Sequence, residues 1–311
     1  VEDGVGKTSS NDGNFFQYKA VFNTNDSAVS PYLLNYSEGE ATDSIAPSIE
    51  FVELTPENGT SQFADYISIN ISSSDINDHY TFLNWNNSLV GWWRFENGSL
   101  GDESGNENNG TNYGSNYTSS GRFGGAREFD GVDDYIDTNT NDFGLSPTDV
   151  VLISVWIRGY GQIITDWDNT VDTQILLSSS NTGRISLYQK DNSGGFSYRY
   201  YYTSTGIYDY NSWTHIVGVI YPNSTIQRIF VNGEEKSLTL NAESGAIDQN
   251  GFTGSTNKYI GYNPNYGGGQ TEFNGSIDEV LIFNRALSED EIKSLYNATA
   301  NQYQNNFTDL S

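Results

Sequence analysis

The 311-residue chain contains no cysteine, so neither a disulfide nor a thiolate metal site can hold it. Any metal must be bound by oxygen or nitrogen. There is no methionine, and the chain starts at Val1, which points to a processed or excised product released from a signal peptide or a larger precursor. Basic residues are scarce: 14 Lys and Arg against 40 Asp and Glu give a formal charge of −26. That sign repels nucleic acid and anionic lipid, and it favours solubility and divalent cations. No apolar run reaches the roughly 18 residues a membrane span requires, so no membrane span is expected. The only histidines are His79 and His215, far apart in sequence. Without cysteine or a Gly-x-Ser-x-Gly turn they form no nucleophile constellation, and a packed or strand-surface role is expected for His215.

What the chain does have is strand-forming sequence. Short runs rich in Val, Ile, Tyr, Phe and Thr recur roughly every 8 to 12 residues between Gly, Asn, Asp and Ser clusters, the pattern of an antiparallel sandwich. Val150 to Arg158, Arg184 to Gln189, Trp213 to Tyr221, Ile226 to Val231 and Ile277 to Phe283 are predicted strands. Asn232-Gly233 predicts a type I′ hairpin, because both central residues of that turn take positive φ. Ser288-Glu289-Asp290-Glu291 is a capping box, with Leu287 placed to staple onto Ile292, so one short helix is predicted to about Tyr296.

Residues 1–46 read as an N-terminal β segment with strands at Phe15 to Phe22 and Pro31 to Tyr36. Residues 47–88 read as a smaller immunoglobulin-like β-sandwich module showing three or four strands, short of the about seven of a complete one. The tail over 300–311 reads as a further strand of that module. This makes 89–299 an inserted domain. Asn-x-Ser/Thr sequons stand at Asn25, Asn35, Asn58, Asn70, Asn86, Asn97, Asn109, Asn116, Asn223, Asn274, Asn297 and Asn306, which agrees with an extracellular, N-glycosylated, cell-surface protein.

Five blocks carry a family resemblance. They are Gly91 to Glu96, Asp102 to Thr111, Phe129-Asp130-Gly131-Val132-Asp133-Asp134-Tyr135-Ile136, Trp213 to Val217, and Phe273 to Ser288 with its Ile277-Asp278-Glu279-Val280 core. In order and spacing they resemble the laminin-G-like, concanavalin-A-like jelly-roll superfamily over residues 90 to 298. The whole chain also resembles, more weakly, archaeal surface proteins that embed such domains in immunoglobulin-like repeats. The fold this implies is all-β: a concanavalin-A-like jelly-roll sandwich plus the immunoglobulin-like module and the N-terminal segment. The resemblance further implies a structural Ca²⁺ on Asp102 and Asp278, with Asn106, Asn108 and the carbonyl near Gly110 as further ligands. Glycines and amide oxygens in that loop suit a hard cation.

The same superfold hosts glucanases, which need paired carboxylates on one strand face. Glu128 and Asp130 imitate such a pair by period two, but they fall inside the Phe-Asp-Gly-x-Asp-Asp-Tyr block, and no enzyme activity is expected. Tyr198, Tyr200 and Tyr202 alternate on one face and, with Trp167, either form a ligand platform or simply pack on the sheet. Two functions follow. One is a non-catalytic structural subunit of a surface filament or coat, in which residues 14 to 37 supply strands that pair with a neighbouring copy. The alternative is an adhesin whose laminin-G-like domain binds glycans.

Overall fold

The computed structural model describes residues 15–23, 31–37, 48–52, 66–74, 79–85, 87–166, 174–191, 197–222, 226–245, 247, 252, 257–262 and 272–300, and chiefly the backbone before residue 87. The chain divides into two compact units, Val1–Ser88 with Ser294–Ser311, and Leu89–Lys293.

In the first unit lie β1 (Phe15–Asn23), β2 (Pro31–Ser37), β3 (Ser48–Phe51), β4 (Tyr66–Ser74) and β5 (His79–Trp85). They form an antiparallel sheet in the order β1-β4-β3 and a β2-β5 pair. Within the chain, β1 is paired along its whole length with β4, from Phe15 opposite Ser74 to Asn23 opposite Tyr66, and β2 pairs with β5. The tail 301–311 lies outside the described residues.

Among its described residues the second unit has fifteen strands. These are β6 (Leu89–Trp93), β7 (Thr111–Tyr113), β8 (Asn116–Thr118), β9 (Ala126–Asp130), β10 (Tyr135–Asp137), β11 (Val151–Thr165), β12 (Gln174–Ser179) and β13 (Ile185–Asp191). They continue with β14 (Ser197–Thr203), β15 (Thr214–Ile220), β16 (Arg228–Val231), β17 (Glu234–Lys236), β18 (Leu238–Ser244), β19 (Tyr259–Ile260) and β20 (Asn274–Phe283). Helix α1 (Glu289–Ala300) follows.

All pairings are antiparallel. In the first sheet β6 and β9 share one edge of β20, and beyond β20 come the first part of β11, then β15, β16 and β17. The second sheet runs β7-β10-β19, then the end of β11, then β12-β13-β14-β18. Strand β11 therefore serves both. It continues past Arg158, where the sequence reading ended it, because glycine lets it bend there. Gly159 opposes Gly275, and a Cβ on Gly159 would stand 2.2 Å from the Asn274 carbonyl oxygen. Only glycine permits that approach.

The core is shared between the sheets. Val155 and Ile157 of the first cluster with Ile175, Leu177 and Leu187 of the second, all at most 1% exposed. A Cβ on Gly218 of β15 would lie 3.3 Å from the Leu177 side chain, so the two sheets meet face to face as in a jelly-roll sandwich. Each such buried aliphatic chain contributes about 1.5–3 kcal/mol. The hairpin appears as read, and the helix starts at the capping box but runs to Ala300, past the expected end near Tyr296. Asn232 and Gly233 have φ of 53° and 77°, and Ser288 and Glu291 cap each other reciprocally, at 3.1 Å from the Glu291 N–H and 2.7 Å from the Ser288 N–H.

Candidate functional site

Side chains alternate along β13, so while Ile185 and Leu187 enter the core, Arg184, Ser186, Tyr188 and Lys190 stand on the opposite face of the sheet. The register sets Tyr202 opposite Ser186, Tyr200 opposite Tyr188 and Tyr198 opposite Lys190, which places three tyrosines of β14 on that same face. The rings touch in sequence. Tyr188 stacks with Tyr198 at 6.0 Å between centroids, Tyr188 tilts against Tyr200 at 6.3 Å, and Tyr200 meets Tyr202 edge-on at 6.0 Å. The Arg184 guanidinium carbon lies 4.2 Å from the Tyr202 ring, and the Tyr200 hydroxyl donates to Ser186 Oγ at 3.3 Å. All four tyrosines are half-buried, whereas Tyr201, between them and turned inward, is buried. The face thus offers ring surfaces and hydroxyls together, the combination that engages the C–H faces and hydroxyls of a sugar. Trp167 lies outside the described residues. Tyr188 and Arg184 escaped the sequence reading because only the pairing of β13 with β14 joins them to the others; period two along Arg184 to Gln189 was the available signal.

Asp102, Asn106 and Asn108 are brought together along the edge of β6. Asp102 Oδ1 accepts the Trp92 N–H at 2.8 Å and the Ser104 N–H at 2.9 Å, and Oδ2 accepts the Asn108 N–H at 3.0 Å. Asn106 and Asn108 donate their side-chain amides to the carbonyls of Leu89 and Val90. The Gly110 N–H is bonded to the Leu100 carbonyl. Because the Trp92 N–H and, through Glu103 N, the Trp92 carbonyl both turn to this loop, the loop flanks the edge of β6 that faces away from β20. Asp278 belongs to β20 and does not join it. Among the described residues no hydrogen bond joins Asp102 to Asp278, whose carboxylate accepts the Phe123 and Glu279 N–H groups instead. Of the Asp102 lone pairs, one on Oδ2 is left for a cation.

Asp278 and Glu279 are both fully buried, although they are consecutive in a strand. A bulge makes this possible: two β20 residues, Glu279 and Val280, oppose Val155 alone, and Glu279 takes a positive φ of 49°. Asp278 accepts the N–H groups of Phe123 at 2.9 Å and Glu279 at 2.8 Å, while Glu279 accepts the Trp92 indole N–H at 2.7 Å. Arg94 stands 3.8 Å from both Glu279 and Glu96. Burial pushes the Asp278 carboxyl well above the usual range, with the Glu279 charge adding to it, and pushes Glu96 up to about 7 against the pull of Arg94. Burial lowers Arg94 to about 10. The cluster joins β6, β20 and the 121–125 segment. The sequence signal was two acids in an otherwise apolar run.

His215 is enclosed beside it. Its Nε2 lies 2.8 Å from Ser154 Oγ, its ring 5.2 Å from Trp156, and burial, then the charge of Arg122, lowers its pKa to about 3. A neutral, solvent-excluded imidazole performs no proton transfer with a substrate.

Asp130, Asp133 and Asp134 bring carboxylate oxygens within 4.8 Å of one another. Two of these carboxylates close their own loop, Asp130 accepting the Val132 N–H and Asp134 the Asp130 N–H. Glu128 and Asp130 are exposed on one face of β9. Of the sequons, Asn97, Asn109, Asn116, Asn274 and Asn297 are exposed. Asn35 and Asn70 fall on β2 and β4, and Asn25, Asn58, Asn86, Asn223 and Asn306 lie outside the described residues.

The family model Laminin_G_3, of the concanavalin A-like lectin/glucanases superfamily, matches residues 129–293. The chain belongs to that superfamily. No curated protein matches it. Among solved structures, domain 4 of the extracellular arabinanase AbnA from Geobacillus stearothermophilus, in complex with arabinotriose, is similar at 20% identity and a TM-score of 0.45, over 67% of this chain and 98% of that one. The binding domain of Paraclostridial Mosquitocidal Protein 1 is similar at 20% identity and a TM-score of 0.51, over 68% of this chain and 52% of that one. The botulinum neurotoxin serotype D binding domain follows at 19% identity and a TM-score of 0.47, over 68% and 51%. This chain spans about half the length of the two toxin domains it matches.

Proposed function

We propose that the chain is a non-catalytic carbohydrate-binding module of an extracellular, cell-surface glycoprotein, and that it binds through the tyrosine face of β13 and β14. The observation that carries this reading is the contiguous, half-buried row Tyr188, Tyr198, Tyr200 and Tyr202, whose rings pack on one another on one face of the sheet. A pre-ordered aromatic row loses little entropy on binding. Its enclosure takes His215 out of consideration as a general base. Native electrophoresis through gels containing soluble polysaccharides tests the proposal: at least one polysaccharide should retard the wild type, and Tyr200→Ala should migrate as in an empty gel. Equal retardation of both proteins would remove the tyrosine face from the account.

A structural-subunit role has one observation in its favour, the two edge strands β1 and β3 that bound the small sheet of the first unit. Light scattering that shows concentration-dependent growth of the isolated chain would support it; a fixed monomer mass would dismiss it. For calcium we propose the 102–110 loop alone, with Asp102 Oδ2 and the amide oxygens of Asn106 and Asn108 as ligands. At a hundredfold excess over Kd such an ion adds about 2.7 kcal/mol. EDTA should then lower the melting temperature of both the wild type and Asp278→Asn, and an unchanged melt in the wild type would end the calcium proposal.

A further inference from the structure

The tyrosine face differs in charge from the molecule that carries it. The chain has 40 acidic residues, yet among the described residues of β12, β13, β14 and β18 no aspartate or glutamate stands on this face. Opposite Lys190, Tyr188 and Ser186, β12 contributes Gln174, Leu176 and Ser178. Opposite Tyr198, Tyr200 and Tyr202, β18 contributes Ser244, Ala242 and Thr239. The charged side chains on this face are cations: Arg184, just before β13, and Lys190, which is buried and about 20 Å further along at extended spacing.

Arg184 is the more informative of the two. Among the described residues it makes no ion pair, its Nε is buried with no hydrogen-bond partner, and its guanidinium rests against the Tyr202 ring at 4.2 Å. Stacking on a ring fixes the plane of the guanidinium, and its fork of N–H donors matches a carboxylate better than it matches a neutral hydroxyl. In a protein of charge −26, such a cation held apart from the carboxylates is left for a ligand to neutralise. Long-range repulsion by the rest of the molecule is screened beyond about 8 Å at physiological salt, so the local charges decide.

We infer that the face selects acidic oligosaccharides: sugar rings lie on Tyr188, Tyr198 and Tyr200 while Arg184 pairs with the carboxylate of an acidic sugar residue. This rests on the carbohydrate-binding reading given above and narrows it to a substrate class. The test is a glycan array printed with neutral oligosaccharides and with carboxylate-bearing ones, both uronate and sialate types, probed with the full chain, Arg184→Gln, Arg184→Lys and Tyr200→Ala. Wild type should bind the carboxylate-bearing spots. Loss of one charge-assisted pair should weaken binding to them by about tenfold in Arg184→Gln, Arg184→Lys should recover part of it, and Tyr200→Ala should lose it. Unchanged melting temperatures separate these losses from unfolding. Binding to neutral spots that is sensitive to Tyr200→Ala and indifferent to Arg184→Gln would overturn the acidic preference and keep the carbohydrate-binding reading. No binding to any spot would overturn both.

Discussion

Lys258 and Asp166 form an ion pair at 2.8 Å in which neither side chain is exposed to solvent. Asp166 also accepts the Ile175 N–H at 2.6 Å, and burial still raises its pKa against the pull of Lys258. Removing one partner of such a pair leaves a charge in the interior, so Lys258→Met is expected to cost about 3–5 kcal/mol, read from urea denaturation. Glu96 gives a pH signature instead. Its folded pKa, about 7, lies above its ordinary value of 4.5, so the folded state binds the proton more tightly than the unfolded chain does. Stability is then greatest below about 4.5 as far as this group is concerned, and it falls as pH rises through about 7, by roughly 1–3 kcal/mol. Glu96→Gln should flatten that part of the profile of melting temperature against pH; an unaltered slope would show that the carboxyl titrates normally. Neither residue was singled out from the sequence, because burial of a charged side chain is set by partners far along the chain.

At the level of elements, the bend in β11 is what lets one strand serve two sheets. Gly159→Ala would force a side chain against the Asn274 carbonyl at a backbone φ of 148°, and a loss on the order of 3 kcal/mol is expected from strain and overlap together. Calorimetry checks it, and a melting temperature within a degree of wild type would mean that β11 does not need the glycine. The same glycines explain a limit of sequence reading. Gly159 and Gly161 look like the end of a strand, and only the pairing of Gly159 with β20 and of Gly161 with β12 shows that they continue it. Strands within the jelly roll were otherwise legible, since period-two alternation survives wherever one face is buried. The α1 capping box and the Asn232-Gly233 turn were legible because each depends on residues adjacent in sequence. The Asp278–Glu279 bulge was not, because a two-against-one register is decided by the partner strand.

On the scale of the whole molecule, three of the four tyrosines of the candidate site were readable from one strand, and the fourth, with Arg184, required knowledge of which strand lies beside it. The absence of carboxylates among the described residues of that face was unreadable for the same reason, although overall acidity was plain from composition. The pairing of 14 to 37 with β4 and β5 inside the chain was unreadable because those partners were counted as parts of a separate module. The central claim, that this superfamily member uses its second sheet to hold carbohydrate, is tested most directly by a crystal structure of the chain with an oligosaccharide selected on the array. The account predicts sugar density across Tyr188, Tyr198 and Tyr200, with a carboxylate within hydrogen-bonding distance of Arg184; sugar bound elsewhere on the chain, with this face bare, would contradict it.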